Sequence, residues 1–240
     1  FISCFHVGNI RKAPARSRVP SSPPPPPPRL SLHPQVAIVY FSRTVNLVTL
    51  ANVIAEGVRQ VEGADVGVYR VRDPVDGDDA SKYEDGALDA PIITPEIILD
   101  SDCVIIGSPA SQNFACKELV RFLETLSDFQ TSGCLLKGKV AGAFQAVSGY
   151  VCGYGGHELS LHQLHGWFLQ HGMLPVGVPP SPVMEDAPLA SPYGTCMAGK
   201  SRADATGNKL KALSETEVKL AYSQGEWAAI ITKQLHDDGD

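Results

Sequence analysis

The 240-residue chain has no acidic residue before Glu56, no two cysteines at C-x-x-C spacing, and no apolar run near the roughly 20 residues that cross a bilayer. Each absence excludes a class of protein. The six cysteines, at positions 4, 103, 116, 134, 152 and 196, fit neither a zinc site nor a disulfide frame, and read as reduced thiols of an intracellular protein. Six basic residues (Arg11, Lys12, Arg16, Arg18, Arg29 and Arg43) precede Glu56, while the net charge is −6. The remainder is therefore clearly acidic, which argues against a nucleic-acid surface. No G-x-S-x-G elbow occurs, which weighs against a hydrolase. His157, His162 and His165 lack a cysteine or carboxylate pair at a metal-ligand spacing, so no metal site is expected. Asp73, Asp76, Asp78 and Asp79 lack the closing glutamate of a calcium loop and read as a solvated acidic loop.

What is present is a chain that is 43% hydrophobic, enough for one sizeable core. Residues 1–34 stand apart, with an unbroken proline run at Pro23–Pro28 that favours polyproline II over helix or sheet. Two readings stay open for this segment. It is an organelle transit segment, rich in Arg and Ser and poor in acid, or a disordered extension of a cytoplasmic protein. Residues 35–240 form the expected domain.

That domain is organised around Val36–Val61. The run Val36-Ala37-Ile38-Val39-Tyr40-Phe41 is continuously apolar and mostly β-branched or aromatic, as suits a strand covered on both faces. A polar loop, Ser42–Asn46, leads into a helix with Leu47, Leu50, Ala51, Ile54, Val58 and Val61 at helical spacing. Free backbone N–H groups and the positive end of the helix dipole make such a loop an anion site. Read alone, it is equally an ordinary N-cap. It lacks both G-x-G-x-x-G and G-x-x-x-x-G-K-[ST], so a single monophosphate suits it better than a dinucleotide or a nucleoside triphosphate.

Further strands are expected at Asp65–Val71, Cys103–Gly107, Val140–Val147 and Met173–Val178, alternating with helices. The last helix spans Ser214–Leu235, with a capping box of Ser214 and Glu217. Residues 179–208 read as long and irregular. The alternation predicts a doubly wound parallel α/β sheet, with ligands at the carboxyl ends of the strands. Three polar loops fall there: Ser42–Asn46, Ser108–Ala115 and Ser148–Gly156.

Read in order, several short blocks form a series. They are Tyr40-Phe41-Ser42 with Ala55-Glu56-Gly57, then Gly107-Ser108-Pro109 with Phe122-Leu123-Glu124. Gly155-Gly156-His157-Glu158 and His171-Gly172-Met173 follow. Ser191-Pro192-Tyr193-Gly194 with Ala198-Gly199, and Gln224-Gly225-Glu226-Trp227, complete the series. In their order and spacing these blocks resemble one family, the WrbA-type NAD(P)H:quinone oxidoreductases, over about residues 35–236. The resemblance implies a flavodoxin-like five-stranded parallel sheet of order 2-1-3-4-5 that carries FMN. Ser42, Arg43, Thr44, Val45, Asn46 and Leu47 would hold the phosphate. Ser108, Pro109, Ala110, Ser111 and Gln112, with Ala146, Val147, Ser148 and Gly155, would border the flavin ring. His171 would act catalytically, as a neutral imidazole donating a hydrogen bond to a quinone oxygen. NADH or NADPH and a quinone would be the substrates, and a homotetramer the assembly.

The chain also departs from the family pattern. Val45 stands where the family keeps a glycine, the loop after Pro109 lacks the family arginine, and Gln130 aligns with a tryptophan that shields the flavin. These departures imply a second possibility, a flavodoxin-like paralog with weakened or lost FMN binding that serves as an interaction or regulatory protein.

Overall fold

The computed structural model describes residues 33–74, 77–111, 114–148, 157–181, 184, 190–199 and 213–237. Residues 1–32, Gln112 and residues 149–156, among them Gly155, lie outside this set, as do Asp76 and the side chains of Ser111 and Ser148.

Strand β1 (Gln35–Tyr40) lies inside the sheet, one strand in from its edge. It pairs in parallel with β2 (Asp65–Arg70) on one side and β3 (Cys103–Ser111) on the other. Strand β5 (Val140–Ser148) lies beyond β3, again in parallel. A two-residue strand β4 (Phe114–Ala115) folds back antiparallel on the end of β3. Helices α1 (Val45–Arg59) and α6 (Glu215–Asp237) cover one face, and α5 (His157–Gln170) with α3 (Lys117–Glu124) the other. The short helices α2 (Pro95–Asp100) and α4 (Ser127–Thr131) sit at connections. The core is correspondingly double. Val36, Ile38 and Tyr40 point to the α1/α6 side, and Ala37, Val39 and Phe41 to the α3/α5 side, with all six buried. This is the period-2 alternation of a strand sandwiched between helical layers.

The fifth position of the sheet differs from the expected continuous strand at Met173–Val178. It is filled by two pieces. β6 (Leu174–Pro175) pairs with Val140 and Ala141 at the start of β5, and β7 (Thr195–Gly199) pairs with Phe144–Ser148 at its end. Residues 195–199, read from sequence as irregular, are thus part of the sheet. The physical reason lies in Pro179 and Pro180, which lack the N–H that a ladder needs. The strand leaves the sheet at the prolines and re-enters at Thr195. The excursion is tied down on α5, where His165 Nε2 lies 2.7 Å from the Tyr193 carbonyl and the His162 ring packs on Tyr193 at 4.0 Å.

Two buried devices hold α6 to the sheet. Gln224, fully buried, donates to the Ala143 carbonyl at 2.7 Å and accepts from the Thr195 N–H at 2.9 Å, joining β5 to β7. At the α1–α6 crossing, Gly57 faces the Tyr222 carbonyl and Gly225 faces the Ile54 carbonyl, with no room for a Cβ at either position. The blocks Ala55-Glu56-Gly57 and Gln224-Gly225-Glu226 therefore meet in space as one backbone-to-backbone contact. The capping box also forms: the Glu217 N–H donates to Ser214 Oγ at 3.2 Å, and the Ser214 N–H donates to the Glu217 carboxylate at 2.7 Å.

Candidate active site at the carboxyl ends of the strands

The register places three strand ends side by side. Tyr40 is level with Gly107, and the Phe41 N–H donates to the Gly107 carbonyl at 3.3 Å. Pro109 is level with Ala146, and Ala110 with Val147. Ser42–Leu47, Ser108–Ser111 and Ala146–Ser148 therefore share one edge, the edge where parallel sheets bind ligands.

Helix α1 begins at Val45, after Thr44 in an extended conformation (φ −124°, ψ 155°) whose side chain makes no cap. Val45 is not among the described residues with positive φ, so its Cβ carries no backbone penalty at this position. Ser42 is buried and turned back on its own loop. Its Oγ donates to the Thr44 carbonyl at 2.8 Å and accepts from the Thr44 N–H at 3.2 Å. The Val45 N–H donates to the Glu84 carboxylate at 2.9 Å. Among the described residues, nothing accepts from the Asn46 or Leu47 N–H. The first turn of α1 thus keeps two amides without an internal acceptor, that of the half-exposed Asn46 and that of the buried Leu47, and the positive end of its dipole, which fits a phosphate monoester.

The charge around that turn comes from distant segments. Arg43 reaches Asp73 at 2.6 Å and Glu118 at 3.3 Å, both carboxylates being almost wholly buried. Its guanidinium also stands over the Phe41 ring at 5.8 Å. The hydrogen bond to Asp73 pushes the Arg43 pKa further up, so the cation is permanent. Asp73 is therefore a buried ion-pair partner and not part of a solvated loop, and Asp78 likewise pairs with Arg70 at 3.0 Å. Arg43 is directed into this cluster, so the α1 amides carry the positive potential that is left for a phosphate.

The ring-side residues divide by role. Ser108 is fully buried, and its Oγ accepts from the Cys116 N–H at 2.9 Å, fixing the start of α3. The Ala110 and Val147 side chains pack in the core, so only their backbone borders the strand-end edge. Ala146 is half-buried.

His171 lies elsewhere. It follows α5 and precedes β6, whose Leu174 is level with Val140, the first residue of β5. Within one chain this is the opposite end of the strand from Val147, roughly 23 Å along it. There His171 stacks on Trp167 at 4.0 Å and is nearly inaccessible. It lines a cavity of about 300 Å³ together with Leu123, Gln130, Leu164 and Trp167. Its Nδ1 lies 2.9 Å from the Trp167 carbonyl, an acceptor, so Nδ1 carries the proton of the neutral ring. Nε2 is buried without a partner and holds the lone pair. The neutral ring is then an acceptor at Nε2, and not the donor that the sequence suggested.

Comparison with known proteins follows the same outline. The chain is 31% identical over 208 residues to the NAD(P)H dehydrogenase (quinone) of Chromohalobacter salexigens, covering 84% of this chain and 98% of that protein. It is 30% identical over 211 residues to the enzyme of the same name from Trichlorobacter lovleyi, with the same coverage. The chain belongs to the NAD(P)H dehydrogenase (quinone) family. No family model matches it. Among solved structures, the flavodoxin, WrbA-like protein from Agrobacterium tumefaciens superposes with a TM-score of 0.52 at 16% identity, covering 84% of this chain and 98% of that one. The Fusobacterium nucleatum flavodoxin bound to flavin mononucleotide gives 0.52 at 15% identity, covering 83% and 98%. The fold is therefore flavodoxin-like, with the order β2-β1-β3-β5 continued at the edge by β6 and β7.

In this member of the family the residues that sequence reading missed are Asp73, Glu84 and Glu118. Arg43 and Asp73 are 30 residues apart, and Val45 and Glu84 are 39 apart. No local spacing signals such pairs. The one available clue was Arg43 itself, the single charged side chain in the loop Ser42–Asn46.

Proposed function

We propose that the chain is an FMN-dependent NAD(P)H:quinone oxidoreductase that reduces quinones by two electrons. The observation that carries this reading is the pair of open amides at Asn46 and Leu47, at the strand-end edge of a chain of this family. FMN held there would supply the two-electron redox chemistry that links NADH or NADPH to the quinone; the protein contributes binding, orientation and electrostatics. The first turn of α1 would hold the phosphate, with Ser42 shaping the loop that leads into it. The backbone of Ser108–Ser111 and Ala146–Ser148 would border the ring, and its exclusion of water would strengthen every hydrogen bond there. His171 would act through a second copy of the chain, because in its own chain it sits at the far end of β5. A homotetramer is the assembly that we propose for this purpose.

The carboxylates beside the loop favour a second reading, a flavodoxin-like paralog that has given up the flavin. One experiment separates the two. Purified protein incubated with FMN and desalted should stay yellow and oxidise NADH or NADPH when a quinone is supplied. Colourless protein that takes up no added FMN would overturn the oxidoreductase reading.

A further inference from the structure

The loop that should receive a phosphate is already bonded to a carboxylate of the same chain. The segment that follows β2 returns across the start of α1 and clasps it twice. The Glu84 N–H donates to the Arg43 carbonyl at 2.9 Å, and the Glu84 carboxylate accepts the Val45 N–H at 2.9 Å. The clasp is supported on both sides. Before it, the Asp73 N–H donates to Asp78 at 3.0 Å, while Arg70 Nη1 holds the same carboxylate at 3.0 Å. After it, Ala87 is fully buried and Arg70 Nε donates to the Leu88 and Ala90 carbonyls at 3.2 and 3.0 Å. Gly86 passes so near that an added Cβ would lie 3.9 Å from Val45 Cγ1. The strap is thus anchored at its ends, and Glu84 is an exposed side chain in its middle that can turn away without moving the backbone.

We propose that Glu84 is a built-in competitor of the cofactor phosphate, and that it sets the affinity of this loop for phosphate monoesters. The inference rests on the flavin reading above and deepens it. A carboxylate at the N-terminal turn of a helix gains from the amide and the dipole in the same way as a phosphate does. The two anions cannot share that turn, because like charges at contact distance repel. A phosphate must therefore displace the Glu84 carboxylate from Val45 before all three amides of the turn (Val45, Asn46 and Leu47) face it. The gate discriminates by charge. It weakens FMN, leaves the phosphate-free riboflavin untouched, and keeps free phosphate out. Val45 belongs to the same device: it provides the amide that Glu84 caps and the side chain on which the strap passes.

The test compares the full-length wild type with Glu84→Gln, and with Asp85→Asn as a neighbouring charge control. FMN and riboflavin are titrated by quenching of flavin fluorescence, and inorganic phosphate by its effect on Tm. The expected result is FMN binding about tenfold tighter in Glu84→Gln, riboflavin binding equal in all three proteins, and little change in Asp85→Asn. Phosphate should raise the Tm of Glu84→Gln and leave that of the wild type unchanged. Equal FMN affinity in wild type and Glu84→Gln would overturn the competitor role while the flavin reading stands. Phosphate stabilisation of Glu84→Gln with no FMN uptake by any variant would uphold the gate and overturn the flavin reading. An equal gain in Asp85→Asn would reduce the effect to net charge and sink the proposal.

Discussion

Helix α1 is held differently at its two ends. Its body lies against α6 through Gly57 and Gly225, where two backbones meet without side chains between them, and Leu47, Leu50, Ile54 and Val58 fill the core beneath. Its first turn is held by charge, with Glu84 on the Val45 amide and Arg43 drawn into Asp73 and Glu118. Shape fixes one end, and shape tolerates almost no substitution in a packed interior. Charge fixes the other, and a carboxylate can be exchanged for another anion. The contrast places the rigid half of the helix where the fold needs it, and the exchangeable half where a ligand would arrive.

The largest effect should come from breaking the rigid end. Gly225→Val places a side chain against the Ile54 carbonyl and should cost about 3 kcal/mol, read as a lowered urea midpoint. An unchanged midpoint would mean that the helices separate easily, and that the contrast drawn here is overstated. A smaller effect is expected at the charged end. Asp73→Asn removes the buried charge that stands nearest the Arg43 guanidinium. Because Arg43 is about one-third exposed, the loss should be about 1 kcal/mol, measured by the same unfolding curve. A loss as large as that of Gly225→Val would show that the ion cluster is part of the core.

The same contrast governs what was legible in the sequence. The sheet and its parallel sense were readable because they rest on local period, whereas the α1–α6 contact, though built from the quoted blocks Ala55-Glu56-Gly57 and Gln224-Gly225-Glu226, was not expected. The capping box at Ser214 and Glu217 was readable because it too is local. The fifth strand was misplaced because Pro179 and Pro180 interrupt it and its second half returns only at Thr195. His171 was assigned to the ring from motif position, yet chain topology sets it at the amino end of β5. Its tautomer is set by the Trp167 carbonyl, which no motif encodes. The carboxylates around α1 come from segments 30 to 75 residues away, and a pairing at that range leaves no periodic trace. Val45 looked from the sequence like an obstacle to the backbone. In the fold it is an ordinary first helical residue, and the obstacle is the charge opposite it.

The central claim is that the first turn of α1 receives the phosphate of FMN. It is tested most directly by following backbone amide resonances of isotope-labelled protein during an FMN titration. The account predicts that the Val45, Asn46 and Leu47 amides shift most, with Val45 moving as it exchanges Glu84 for phosphate. Saturation with FMN that leaves these three amides where they were would contradict it.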